Sequence, residues 1–266
     1  MGKNLKEALA RGEVVVGMGV NTYSPPVVEA LGYWGFDFAL IDTEHTPIAV
    51  DQTLEKLILA AKLTGVAPFV RLKEIDEVDI RKALEFGAEG VIIPRVRTKA
   101  EAERIVKAAK FPPEGRRGVD PTVRSARYAG PGFDMEKYIT ESNRNALVIP
   151  MDEDKEFDEA IDGILSVPGI DAILFGPTDY ALSLGLPLSY KLDIPPIQAA
   201  LSRLLAKARP KGIGVMVPVI SPTLENARNL IGNGVNMLVL GSDMSNFQSA
   251  CRTIMSECVE PLRKGK

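Results

Sequence analysis

Histidine is nearly missing from this sequence: its 266 residues contain one, His45. Cysteine is almost as scarce. Cys251 and Cys258 stand close together near the C-terminus and make neither a disulfide framework nor a zinc motif, so a reducing compartment is the simplest setting. Charge of one sign is also lacking. Lys and Arg number 32 against 35 Asp and Glu, a formal charge of −3, which leaves little electrostatic footprint for nucleic acid. No apolar run approaches the roughly 20 residues that a membrane span needs. The opening stretch MGKNLKEALARGE reads as a short helix rather than a signal peptide, and it lacks the Ser or Thr that would accompany myristoylation at Gly2. These absences leave a cytoplasmic enzyme or binding protein, with no nucleic acid and no membrane among its partners.

Short β-branched runs alternate with amphipathic runs along the whole chain. The strand candidates are Val14–Val20, Asp37–Ile41, Pro68–Arg71, Gly90–Pro94, Leu147–Met151, Ala172–Phe175, Ile213–Val217 and Met237–Leu240. Each is nearly continuously apolar, as parallel strands buried on both faces are. Between them, Leu54, Leu57, Ile58 and Ala61 form a helical stripe, as do Ala102, Ile105, Val106 and Ala109, and Leu224, Ala227, Leu230 and Ile231. Gly65, Gly87 and Gly232 stand where left-handed helix C-caps are expected. The first strand runs into Asn21-Thr22-Tyr23-Ser24-Pro25-Pro26 without a G-x-G-x-x-G, so a dinucleotide-binding sheet has no support. Eight evenly spaced strands favour a closed (β/α)8 TIM barrel, one domain over residues 1–266. One connection is long, from Phe111 to Asn145, with a short helix expected near Asp134–Ser142.

Barrel chemistry collects where strands end. Asp42-Thr43-Glu44-His45 follows strand 2, and Arg71 closes strand 3. Arg95 and Arg97 follow strand 4, Asp152-Glu153 closes strand 5, and Gly176-Pro177-Thr178-Asp179 follows strand 6. A neutral imidazole at His45 can exchange protons near neutral pH. Glu153 and Asp179 follow consecutive strands, and two hard oxygen ligands suit Mg²⁺ or Mn²⁺. Asp152, Asp154 and Glu156 compete for the first of those places, and any of these carboxylates could instead cap a helix. Arg71, on an apolar strand, is placed to hold a substrate carboxylate or enolate oxygen, or to bridge to Glu44 or Glu85. None of the eight strand candidates contains a lysine, so a Schiff-base nucleophile is missing from its usual place and a metal-dependent enolate is favoured. Arg116, Arg117, Arg124 and Arg127 on the long loop, with Arg95 and Arg97, suggest a cationic mouth that would suit an anionic acceptor.

The stretches Gly35–His45, Val70-Arg71, Ala83–Ala88, Gly90–Pro94, Phe111–Gly118, Glu153–Glu156 and Phe175–Asp179 together resemble the HpcH/HpaI family. These are metal-dependent, class II pyruvate aldolases of the 2,4-dihydroxyhept-2-ene-1,7-dioate and 2-dehydro-3-deoxyglucarate type. The resemblance implies a barrel of the phosphoenolpyruvate/pyruvate type, a divalent metal (Mg²⁺ or Mn²⁺, with Co²⁺ an alternative) on Glu153 and Asp179, and cleavage of a 4-hydroxy-2-oxo acid to pyruvate and an aldehyde. It makes Arg71 the enolate-stabilising arginine and His45 the acid–base residue. Asp42 becomes a carboxylate near the metal-bound waters, and Glu85 an acid that orients the histidine from a neighbouring subunit. Gly176, Pro177, Thr178 and Arg95 fall beside the substrate. The assembly implied is a homo-oligomer, a hexamer or trimer of dimers whose C-terminal helices swap. The chain departs from the family pattern at four places: Asp152, Arg95, Gly19 and the pair Tyr180-Ala181. They bear on the acceptor half of the substrate. A citrate-synthase-like or acyl-CoA lyase reaction, or a non-catalytic oxo-acid-binding barrel, are the competing readings.

Overall fold

The computed structural model describes residues 3–187, 192, 194–219 and 221–264. Eight parallel strands close into a barrel in chain order. They are β1 (Val15–Val20), β2 (Phe38–Asp42), β3 (Ala67–Arg71), β4 (Gly90–Ile93), β5 (Leu147–Asp152), β6 (Ala172–Phe175), β7 (Gly214–Pro218) and β8 (Met237–Ser242). All eight expected strands form, with ends within two residues of those read from the sequence. The helices are α1 (Leu5–Ala10), α2 (Pro25–Tyr33), α3 (Gln52–Thr64), α4 (Glu77–Phe86), α5 (Lys99–Ala109), α6 (Met135–Asn145), α7 (Lys155–Ile164), α8 (Pro177–Ser183), α9 (Pro195–Ala208), α10 (Leu224–Asn233), α11 (Asp243–Ile254) and α12 (Glu260–Lys264). No helix among the described residues is long and apolar enough to cross a membrane.

Strand alternation divides the apolar residues into two layers. Phe38, Leu40, Ala67, Phe69, Ile92, Leu147, Ile149, Met151, Ala172, Leu174, Met216 and Met237 fill the barrel interior, and Leu5 and Ala8 of α1 join them. The outward set, with Ile41, Val70, Val91, Val148 and Ile173, packs against the helices. Phe38 and Phe69 stack inside at 5.0 Å. Gly17 makes room for them, because a Cβ there would lie 2.3 Å from the Phe38 ring.

The helix stripes on α3 and α5 are buried as expected. The third stripe is a correction: on α10 only Leu230 is buried, while Leu224 and Ile231 are exposed. Gly65 and Gly87 do cap α3 and α4 in left-handed conformation, but the cap of α10 is Gly234 and not Gly232. Gly232 lies inside the helix. In the long connection, a one-turn helix at Arg124–Ala129 precedes α6, and Asp134 caps α6 at Lys137.

Candidate active site

The inward-facing residues of β2 are Phe38, Leu40 and, at the open end, Asp42; those of β3 are Ala67, Phe69 and Arg71. Asp42 and Arg71 are register partners. Arg71 donates from Nε to Asp42 Oδ1 at 2.9 Å and from Nη2 to Oδ2 at 2.7 Å, a two-point fork on a buried carboxylate. Asp42 also accepts from the Glu44 backbone N–H at 2.9 Å and from Asn21 Nδ2 at 3.4 Å. Asp42 therefore fixes the guanidinium plane and the start of the loop that carries His45. Asn21 is held in turn: Asp243, at the start of α11, accepts from the Asn21 and Thr22 backbone N–H groups at 2.8 and 3.0 Å.

The same alternation separates the acids of β5. Leu147, Ile149 and Met151 point inward, so Glu153 continues that row toward the mouth, while Asp152 turns outward. Asp154 caps α7, accepting from the Phe157 N–H at 3.0 Å, and pairs with Arg97 at 2.6 Å. Glu156 sits in the first turn of α7. Opposite Glu153 the chain leaves β6 through Gly176 into α8. A Cβ on Gly176 would lie 2.9 Å from Glu153 Cβ, so only glycine lets this turn run against the glutamate. Pro177 starts α8 and is buried; Thr178 and Asp179 follow in its first turn. Glu153 accepts the Arg95 backbone N–H at 2.7 Å. Burial pushes its carboxyl up to about 7, and the negative charges of Glu44 and Asp179 add to the rise.

Between these two sides lies Glu44, which the sequence offered only as a bridge partner for Arg71. Its carboxylate is nearly buried and meets three cations or potential cations. Oε2 is 3.5 Å from His45 Nε2 and 3.5 Å from Arg71 Nε, and Oε1 is 3.8 Å from Arg95 Nη2. Oε2 makes no hydrogen bond among the described residues. Burial holds the Glu44 carboxyl above the usual carboxylate range. The His45 side chain is 56% exposed and opens to solvent. The sequence signals for Glu44 were the bridge offered by Arg71 and parity: it is two residues beyond an inward-facing Asp42.

Outward-facing Asp152 is fully buried, and neither of its oxygens has a partner among the described residues. Desolvation first, then Asp158 and Asp154, raise its pKa well above the ordinary value. Tyr180 donates to Asp158, which Arg203 grips from α9, and the same buried spot thus holds two of the four departures from the family pattern. Glu85 lies in the last turn of α4, 3.7 Å from Arg81, at the end of the helix that leads back to the strand starts. One chain does not bring it to His45. Three loop arginines are likewise far from the mouth. Arg117, Arg124 and Arg127 line a groove with Leu5, Gly65 and Leu147, residues of the opposite rim. Arg116 pairs with Glu77 at 2.6 Å. Of the cationic mouth read from the sequence, Arg95 and Arg97 remain, beside Arg71.

No three His, Cys, Asp or Glu groups converge as a complete metal cage among the described residues. The donor set still fits a hard divalent cation, which commonly takes one or two protein carboxylates and fills its remaining positions with water or substrate oxygen. Glu153 and Asp179 act on one another electrostatically, Glu44 adds a third negative charge, and Arg71, turned by Nε and Nη2 to Asp42, offsets them only in part. The negative charge left over around Glu153 is what a cation there would relieve.

Residues 16–250 match the family model described as HpcH/HpaI aldolase/citrate lyase. A 5-keto-4-deoxy-D-glucarate aldolase from Shigella dysenteriae serotype 1 (strain Sd197) is 32% identical over 251 residues, 94% of either chain. The protein of the same name from Escherichia coli O139:H28 (strain E24377A / ETEC) gives the same figures. Among solved structures, an HpcH/HpaI aldolase from Desulfitobacterium hafniense DCB-2 superposes with a TM-score of 0.87 at 27% identity over 95% of both chains. The citrate synthase SbnG superposes at 0.84 with 29% identity over 98% of both. The chain belongs to the HpcH/HpaI aldolase/citrate lyase family.

Proposed function

We propose that this chain is a divalent-metal-dependent aldolase that cleaves a 4-hydroxy-2-oxo acid to pyruvate and an aldehyde and runs the reverse addition. The observation that carries the reading is the juxtaposition of Glu153 and Asp179 with an Arg71 locked in place by Asp42. The relatives named as aldolases support it. Glu153 and Asp179 would hold Mg²⁺, Mn²⁺ or Co²⁺, which when bound supplies Lewis-acid polarisation of the 2-oxo group. Gly176, Pro177 and Thr178 line the substrate side of that turn; Pro177 has no N–H and Gly176 gives its own to the Asp152 carbonyl, so the Thr178 N–H is the one of the three with no intrahelical partner. Arg71, with its fork already fixed, stabilises the oxygen that becomes negative as the enolate forms. His45 takes the proton of the 4-hydroxyl. The C3–C4 bond breaks, its electron pair stays with the three-carbon fragment, the aldehyde leaves, and a proton returns to C3. Glu44, 3.5 Å from Nε2, orients the His45 imidazole.

The test is pyruvate release from a panel of 4-hydroxy-2-oxo acids with EDTA, then with Mg²⁺, Mn²⁺ or Co²⁺ restored. Turnover should vanish with EDTA and return with the metal. Full activity after chelation, or a borohydride-trapped pyruvate adduct, overturns the reading. A citrate-forming condensation is the competing reading, favoured by the likeness to SbnG; it would show as coupling of an acetyl donor to oxaloacetate without pyruvate release.

The working form is a homo-oligomer. Its support is α11 and α12, which expose Met244, Phe247, Ile254 and Leu262 and bury none of their own described residues. In that assembly Glu85 of one subunit serves His45 of the next.

A further inference from the structure

The inner rows of β1, β2 and β3 reach the mouth side by side. Gly17 and Gly19 are register partners of Phe38 and Leu40, so the next inward step sets Asn21 beside Asp42, whose partner on the other side is Arg71. Asp42 is thus clasped from both neighbouring strands. Its Oδ1 accepts from Arg71 Nε, from the Glu44 N–H at 2.9 Å and from the His45 N–H at 3.4 Å. Its Oδ2 accepts from Arg71 Nη2 at 2.7 Å and from Asn21 Nδ2 at 3.4 Å. The other donors lie on β3 or on the loop after β2; Asn21 is the one that approaches from β1.

Asn21 is itself set in place from the far side. Asp243, the first residue of α11, accepts from the Asn21 and Thr22 backbone N–H groups, from the Thr22 hydroxyl, and from the N–H of Met244 at 2.7 Å. Hydrogen bonds to an ionised acceptor are the strong ones, and several on one carboxylate leave it little freedom. The seam between β1 and β8 is close here because residue 19 has no side chain: a Cβ on Gly19 would lie 3.0 Å from the Cβ of Ser242, the residue before Asp243. The contacts therefore run from Asp243 to Asn21, to Asp42 and to Arg71, from the end of β8 round to β3. Glu153 and Asp179 follow β5 and β6 and take no part in this chain.

We propose that Asn21, held by Asp243, is a positioning residue for the enolate step. The inference rests on the aldolase reading above and deepens it at the same site. A carboxylate turns readily about its Cβ–Cγ bond, and a guanidinium forked onto it turns with it. Asn21 braces Oδ2 against that rotation from the side where β3 and the loop supply nothing. Arg71 is then already aimed when charge develops on the enolate oxygen, and a donor aimed in advance is what stabilises such a charge.

The experiment reads enolisation alone, as proton exchange at the pyruvate methyl followed by NMR with Mg²⁺ supplied. At saturating pyruvate, Asn21→Ala should slow exchange about tenfold, the scale of one hydrogen bond to a charged group. Asn21→Asp, of the same size but with a second carboxylate against Asp42, should slow it more. Asp243→Asn, which keeps the shape and loses the charge, should slow it about fivefold. In an Arg71→Ala background, Asn21→Ala should change the remaining exchange less than about twofold, because the group it positions is gone. Mn²⁺ affinity, measured by titration, should stay within about twofold of wild type in every Asn21 and Asp243 variant, a factor worth less than one hydrogen bond. Exchange at the wild-type rate in Asn21→Ala or in Asp243→Asn overturns the proposal. So does an equal factor lost with and without Arg71, or a fall in Mn²⁺ affinity by the same factor, each the mark of a general structural fault. Those outcomes leave the aldolase reading standing. Wild type that exchanges no methyl protons with metal supplied removes that reading and this inference together.

Discussion

Glu44 and His45 are neighbours in sequence, but the strand end that carries them gives each a different environment. Glu44 is turned in and nearly buried, whereas His45 is open to solvent. This division makes a kinetic prediction. In the proposed reaction the proton handled by His45 belongs to the 4-hydroxyl, so His45→Ala should slow C–C cleavage by about two to four decades, the range of general acid–base catalysis, and disturb exchange of the pyruvate methyl protons far less. Arg71→Ala should damage both reactions, by about two to three decades each, since both pass through the enolate. Glu44→Gln should follow the His45 pattern at smaller amplitude. Methyl exchange followed by NMR isolates the second reaction; equal losses of both in His45→Ala would contradict the assignment. At this scale the sequence was legible as residue types at strand ends, but it left Asp152, Glu153 and Asp154 as equals. What separates them is direction. The inward row Leu147, Ile149, Met151 passes to Glu153, while Asp152 faces the helices and Asp154 caps α7. The resemblance had already chosen Glu153; the physical reason is the two-residue period of a strand. The bridge from Glu44 to Arg71 was among the alternatives read from the sequence, but its facing His45 at the same time had no such marker, because that depends on two 3.5 Å contacts to groups from different parts of the mouth.

Among the elements, the turn from β6 into α8 is where local geometry most directly sets the site. Gly176→Ala would push a methyl group to 2.9 Å from Glu153 Cβ, a backbone-proximal atom with little room to yield. The expected result is a more than about tenfold loss of metal-stimulated turnover and weaker Mn²⁺ binding, by titration, with the far-UV spectrum unchanged; wild-type Mn²⁺ affinity in this variant would refute the account. Lys110, after α5, makes a separate prediction about stability. Its ammonium is buried and donates to the Asn143 and Ala146 carbonyls at 2.7 and 2.6 Å, closing the end of α6. Burial lowers its pKa to about 8 from 10.5. Between those values the unfolded chain binds more protons than the folded one, so the contribution of Lys110 to stability grows as pH rises from about 8 to 10.5. Below pH 8 both states are protonated and the slope disappears. Urea unfolding of wild type and Lys110→Met should show a gap that shifts toward wild type between pH 7.5 and 9.5, by on the order of 1–2 kcal/mol; a constant gap would show that Lys110 does not titrate there. Elements were the most legible level of the sequence. The strands announced themselves because both faces are buried. The stripe on α10 misled because Leu224 and Ile231 are as apolar as core residues yet face outward, and Gly232 and Gly234 are indistinguishable by composition until one is seen at φ 103°. The loop arginines misled for a topological reason: the connection after α5 begins at the rim opposite the mouth, so its charges stay there.

In the whole molecule, the helices after β8 are the least covered part of the described residues. After β8, α11 contacts the start of its own barrel through β1 and β8, then continues into Met255–Val259 and α12 without burying a described residue. Met244, Phe247, Ile254, Met255 and Leu262 are exposed along this arm. Apolar residues on a helix this poorly covered are costly in water, and a stable interface between copies removes about 800 Å² per partner. A chain that carried such an arm as a monomer would expose a contiguous patch of the kind that marks association surfaces. The expected state in solution is therefore a defined multiple of the 28.8 kDa chain. The arm is the place to test it, because Phe247 and Ile254 belong to neither the mouth nor the barrel interior. Phe247→Glu with Ile254→Glu should shift the mass measured by light scattering toward the monomer and lower the midpoint of thermal unfolding. If Glu85 reaches His45 only across subunits, the same double variant should also lose cleavage activity while keeping Mn²⁺ binding at Glu153 and Asp179, since both of those ligands come from one chain. Wild type at 28.8 kDa would dispose of the assembly. A monomeric variant with full cleavage activity would instead show that the site is complete within one barrel and that Glu85 has no part in it.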